Sequence, residues 1–133
     1  MRKRSMSYEK YGISRKRYKE LCGFCEQYPE WKDELRKGFG LRSPEIDGMP
    51  HGSGGKSDRT ADTAMRRYTI QQKVDLIEKT AREVSSEMAE YIIKSACYEI
   101  PYWYLSNALR IPISDGAFRD LKRYFFYLLH KRL

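Results

Sequence analysis

Three stretches of the chain carry side chains whose type and spacing could do chemistry. Cys22-Gly23-Phe24-Cys25 has the Cys-x2-Cys spacing of zinc and redox sites. A structural zinc needs two further ligands, and only His51, Cys97 and His130 are available, none of them paired. No strand-helix-strand pattern surrounds the motif, so thioredoxin-like exchange is not expected, and Cys22 and Cys25 read as ordinary semi-buried cysteines. Gly52-Ser53-Gly54-Gly55-Lys56-Ser57 ends as a phosphate-binding loop does. The first glycine of that motif would fall on Pro50, however, and no hydrophobic strand precedes it, so a flexible, mildly basic arm is the better reading. No Ser/His/Asp or Cys/His arrangement offers a nucleophile and base. The expectation is a protein that is not an enzyme and needs no metal or cofactor.

The third stretch is the last one, and its chemistry is binding. Tyr102 to Leu109 reads as a short helix, Arg110-Ile111-Pro112-Ile113 as a turn, and Ser114 as the N-cap of a final helix running close to Leu133. Two helices joined by a tight turn fit a helix-turn-helix at about 101–133. In the final helix Ala117, Phe118, Leu121, Phe125, Leu128 and Leu129 form an apolar stripe, with Arg119, Lys122 and Arg123 beside it. The first turns of the second helix enter the major groove in this motif, which places Ser114, Asp115, Gly116, Arg119, Lys122 and Arg123 against DNA. Arg119 is the residue expected to read a base, because a guanidinium pairs bidentately with guanine. Lys122, Arg123, Lys131 and Arg132 are expected on phosphates, and Ser106 and Asn107 on the DNA backbone. Tyr124, Phe126 and Tyr127 add aromatic surface, read as packing or a dimer contact rather than base stacking.

Charge supports a polyanionic partner. The 133 residues carry a formal net charge of +8, and each cation set on a phosphate releases condensed counterions. Residues 1–40 hold 11 basic and 6 acidic side chains and residues 101–133 hold 6 and 2, whereas residues 68–100 hold 4 and 6. The ends are positive and the middle is slightly acidic, as expected if the central helix faces protein. The longest apolar stretch, Tyr124 to Leu129, is far too short to cross a membrane. Three cysteines and no apolar leader after Met1 point to the reducing cytoplasm of a bacterial host cell.

The elements that must position these residues are all helical. A basic arm over the first ten residues precedes a helix capped by Ser14, with Tyr18, Leu21, Cys25 and Tyr28 on one face, and Pro29 restarts the chain as a second helix that stops at Gly38 and Gly40. Pro44, Gly48, Pro50, Gly52, Gly54 and Gly55 make 41–63 an irregular linker, with Ser57, Asp58 and Thr60 as candidate caps. Ile70, Val74, Ile77, Ala81, Val84 and Met88 then form an a/d seam, too short for a free coiled coil and suited to a bundle or a homodimer. Ser85-Ser86-Glu87 breaks it, a short helix through Met88, Tyr91, Ile92, Ser95 and Ala96 follows, and Pro101 ends the pattern. The expected organisation is an all-α protein: 1–40, basic arm and N-terminal helices; 41–63, linker; 64–133, a small helical bundle with a C-terminal helix-turn-helix.

The order of a long helix, a Gly-rich Met49-Pro50-His51-Gly52-Ser53-Gly54-Gly55 stretch followed by Asp58 and Thr60, and a terminal Ile113-Ser114, Phe118 and Leu121-Lys122-Arg123 helix resembles the phage late-gene transcriptional regulators of the ArpU/RinA type. Their C-terminal part is similar to region 4 of sigma factors. The likeness covers roughly residues 41–133 and implies control of phage gene expression through double-stranded DNA, with RNA polymerase as a further partner. Two other readings fit a basic helical chain: a small-terminase-like packaging subunit, and a protein-interaction module using Tyr102 to Tyr104 and Tyr124 to Tyr127.

Overall fold

A computed structural model describes residues 11–37 and 54–133, with side chains from residue 60 onward in the second stretch. Six helices follow in order: α1 (Arg15–Glu26), α2 (Tyr28–Lys37), α3 (Gly54–Val84), α4 (Ala89–Cys97), α5 (Tyr102–Asn107) and α6 (Asp115–Arg132), and there is no strand among the described residues. The chain is all-helical. The expected basic arm at 1–10, the glycine stops at 38 and 40, and linker residues 41–53 lie outside the described residues.

Local chemistry accounts for the boundaries. Ser14 is extended (ψ 164°), and its Oγ accepts from the backbone N–H of Arg17 at 3.1 Å, starting α1 as expected. Gln27 closes α1, and α2 begins at Tyr28 so that Pro29, which has no N–H to donate, sits in the first turn. Ser85 Oγ accepts from Met88 N–H at 3.2 Å across the break between α3 and α4. Ser114 caps α6, accepting from Ala117 N–H at 3.2 Å. Asp115 in the first turn of α6 and His130, Lys131 and Arg132 in its last turn complement the helix dipole.

One boundary differs from expectation. Residues 54–63 are helical, so α3 takes up the last ten residues of the expected linker, and Ser57, Asp58 and Thr60 lie inside it rather than capping it. The breakers that made the window look irregular end at Gly55. Beyond it no Gly or Pro interrupts the chain until the break at 85–87, and a helix nucleated on the seam propagates backwards at little cost.

The core forms where the seam meets α6. Ile70, Val74, Ile77, Ala81 and Met88 are buried and Val84 is half-buried, so the seam is used inside the bundle. Helix α6 packs on α3, α4 and α1, while α2 lies on α3 and α1 on α4. Phe118, Phe125, Phe126 and Leu129 fill the junction. Phe126 therefore belongs to the core rather than to the aromatic surface, and Ala117, expected in the apolar stripe, is exposed. A helix touching three others needs a wider apolar arc than a single stripe supplies.

Candidate nucleic-acid interface

Tyr102 joins α5 to α6, its O–H donating to the Ile113 carbonyl at 2.6 Å and its ring lying 6.1 Å from that of Phe118. Leu105 and Ile111 are buried beneath. The connection is longer than the expected turn: α5 stops at Asn107 and α6 starts at Asp115. Arg110 adopts a left-handed conformation (φ 56°), and the chain reverses so that Ile111 N–H bonds the Leu105 carbonyl at 2.9 Å. Glu99 (φ 56°) performs the same reversal after α4, with Ile100 N–H on the Lys94 carbonyl at 3.1 Å. Glycine is the usual occupant of such positions, so neither reversal carries the familiar sequence mark.

The residues expected on DNA fall into three groups. On the outer side of the first turns of α6, Gly116, Arg119 and Arg123 are exposed. Arg119 pairs with Asp115 at 3.0 Å and Arg123 with Asp120 at 3.0 Å, both within the helix. Such exposed pairs contribute little to stability, so exchanging an aspartate for another anion costs little. A Cβ added at Gly116 would meet nothing within 4 Å. Ser114 is occupied as the cap. On α5, Asn107 is exposed and Ser106 half-buried.

Lys122 forms a second group by itself. It is half-buried and faces α1, where its positive charge acts on the Cys25 thiol. That thiol is held well above its ordinary range by its hydrogen bond with Cys97 and then by burial, which Lys122 only partly opposes. Cys25 thus engages α4 rather than Cys22, and all three cysteines are buried thiols outside any disulfide. No group of three or more His, Cys, Asp or Glu that could hold a metal occurs among the described residues.

The third group lies at the far end of α6, about 26 Å from Ser114 at 1.5 Å per residue. Arg132 turns to α3, donating to the buried Thr80 hydroxyl at 2.9 Å and pairing with Glu83. Lys131 is exposed, with its ammonium 5.3 Å from the centre of the Tyr127 ring. Next to it Arg17 of α1 donates from Nε to His130 Nδ1 at 2.9 Å. This contact, missed in the sequence, ties α1 antiparallel to α6. Tyr18 packs edge-on against Phe126 at 5.2 Å in the same seam, its phenol pushed upward chiefly by burial.

Away from this face, an open groove of about 580 Å³ is lined by residues including Tyr28, Glu78, Arg82, Ile93, Lys94 and Tyr98. It contains none of the expected contact residues. Tyr28 donates its O–H to Glu78 at 2.6 Å there, and burial followed by that bond pushes its phenol upward. Among the described residues no helix is long and apolar enough to cross a membrane. No family model matches the chain, and neither does a curated protein or a solved structure.

Proposed function

We propose that the chain is a phage-type DNA-binding transcriptional regulator that sets the first turns of α6 in the major groove, α5 and α6 acting as a helix-turn-helix similar to sigma factor region 4. The observation that carries this reading is the division of α6. Its inner side is spent on the core, while its first turns leave Arg119 65% exposed beside an unobstructed Gly116. Arg119 reads a base, and Arg123 and Lys131 hold phosphates. Lys16 and Lys19, exposed on the neighbouring α1, add to the attraction. Contact with RNA polymerase and assembly as a homodimer belong to the same proposal.

The test is a fluorescence anisotropy titration of duplex DNA, first at about 50 and then at about 200 mM salt, with wild type and Arg119→Ala. Binding should weaken steeply with salt, and Arg119→Ala should remove about 1–3 kcal/mol of discrimination between a selected site and random sequence. Salt-insensitive or absent binding overturns the proposal. Equal affinity of the variant for every sequence that wild type also binds equally would remove base reading and leave phosphate attraction alone. A second reading, the protein-interaction module, is favoured by one observation: Trp103 is 63% and Tyr104 43% exposed, with ring centres 5.9 Å apart.

A further inference from the structure

Beyond the groove-facing turns, the outer side of α6 continues into a row of tyrosines. Tyr124 is 41% exposed and lies nearly parallel to Tyr127, at an interplanar angle of 22° and a centre separation of 6.4 Å. Tyr127, half-buried and packed against the core, lies 5.1 Å from Tyr11, tilted by 39°. Two rings in full face contact would stand about 3.5–4 Å apart. At 6.4 Å they are either offset or parted, and in both cases part of each ring face is left uncovered by the other. Two cations share this stretch of the helix: Arg123, 46% exposed, precedes Tyr124 in the chain, and the Lys131 ammonium lies 5.3 Å from the Tyr127 ring centre.

An aromatic row accompanied by cations matches the chemistry of an unpaired polynucleotide. Bases stack on ring faces without regard to sequence, while the phosphates between them seek positive charge. A paired base in a duplex has its faces covered by its neighbours and cannot use such a row. The partner that fits is therefore polyanionic and has exposed π-faces, which an apolar peptide does not supply.

We infer that the exposed ring of Tyr124, backed by the half-buried Tyr127, stacks a base of a short single-stranded DNA segment whose phosphates are met by Arg123 and Lys131. The inference rests on the reading that the outer side of α6 meets DNA, and it adds that one strand of that DNA is opened next to the bound duplex. Tyr124 is the residue to vary. Tyr127 packs on Tyr11, so its loss would disturb the lead into α1, whereas Tyr124 is exposed and its ring stacks on Tyr127.

The experiment measures anisotropy of a labelled oligothymidylate of about 12 nucleotides, an oligouridylate of the same length, and a duplex, with wild type, Tyr124→Ala and Tyr124→Phe. Tyr124→Ala should weaken oligothymidylate binding about tenfold and leave both duplex affinity and melting temperature unchanged, while Tyr124→Phe keeps wild-type affinity because the ring remains. The inference is overturned if wild type binds duplex but not oligothymidylate, which leaves the regulator reading standing. It is equally overturned if Tyr124→Ala binds oligothymidylate as wild type does, or loses both ligands alike. Tighter binding of oligouridylate than of oligothymidylate overturns the assignment to DNA. Binding of oligothymidylate without duplex, sensitive to Tyr124→Ala, supports the stacking row and removes the helix-turn-helix reading instead.

Discussion

In the first turns of α6, Arg119 and Arg123 find their partners on their own helix, Asp115 and Asp120, each at 3.0 Å. In the last turn two of the three basic side chains engage other helices, Lys131 staying exposed: His130 accepts from Arg17 of α1 at 2.9 Å, and Arg132 donates to Thr80 of α3 at 2.9 Å. Arginine stands at both ends and the consequences differ. A cation paired within its own exposed turn can exchange its partner for a phosphate without loosening the bundle. A cation that bridges helices cannot leave without releasing what it holds. Positive charge in a terminal segment is therefore not a measure of its binding surface until each cation has been assigned to an end and a face of the helix.

The strongest way to break this contrast is to attack the inner side that both ends share. Phe125 is fully buried where α6 meets the bundle. Phe125→Ala should cost about 3–5 kcal/mol, a large part of the stability of a domain this size, and chemical denaturation should show it as a lower midpoint at unchanged slope. A loss below about 1 kcal/mol would mean that α6 is not held by its inner side. The core of α1 and α2 can be probed through pH. Tyr18 and Tyr28 have phenols raised above the ordinary value, in both cases first by burial. The folded state therefore holds these protons more tightly than the unfolded state does. Their contribution is fully present below the unfolded value of about 10 and is lost as pH rises beyond it. With the Cys25 thiol, also raised, adding to the loss, the melting temperature should be flat from neutral pH to about 8 and fall by several degrees by about 11, with Tyr28→Phe reducing the fall.

A smaller effect sharpens the contrast at the far end of α6. Arg132→Ala removes the donor to Thr80 and the partner of Glu83. The guanidinium is about a third exposed, so the expected cost is about 1–2 kcal/mol rather than that of a buried ion pair. In a double-mutant cycle with Thr80→Val, the two losses should be less than additive by at least about 0.5 kcal/mol. Full additivity would show that Arg132 does not work through Thr80, and would return it to the group of solvated cations.

Much of this arrangement was legible in the sequence where periodicity speaks. The 70–88 seam, the Ser14 and Ser114 caps and the restart at Pro29 follow from spacing and from unsatisfied N–H groups, and the structure has them in place. The half-burial of Lys122 was not drawn from the sequence although the signal was present. Lys122 stands four residues after Phe118 and three before Phe125, in the middle of the buried stripe, where a lysine lays its stem along apolar surface and carries its charge to the edge. Phe126 was missed because a single stripe was drawn for a helix that packs on three others. The reversals at Glu99 and Arg110 left no mark, since a left-handed residue other than glycine costs about 1–2 kcal/mol that only the surrounding fold repays. The early start of α3 was hidden by Gly54 and Gly55, whose breaker character is local while the helix behind them is long.

The smallest expected effect on stability is the most informative about the outer side of α6. Arg119→Ala removes a 65%-exposed side chain and a single in-helix pair, so its stability should stay within about 0.5 kcal/mol of wild type. Alanine is also a slightly better helix former than arginine, which offsets part of the lost pair. Measured beside Arg132→Ala, it separates the two ends of α6 by stability alone, before any ligand is added. If Arg119→Ala were the more damaging of the two, Arg119 would have to be holding structure, and the face it occupies could not exchange partners freely. If it is silent in stability and costly in duplex affinity, the same guanidinium is free in the fold and committed to the ligand, which is the condition a reading residue must meet.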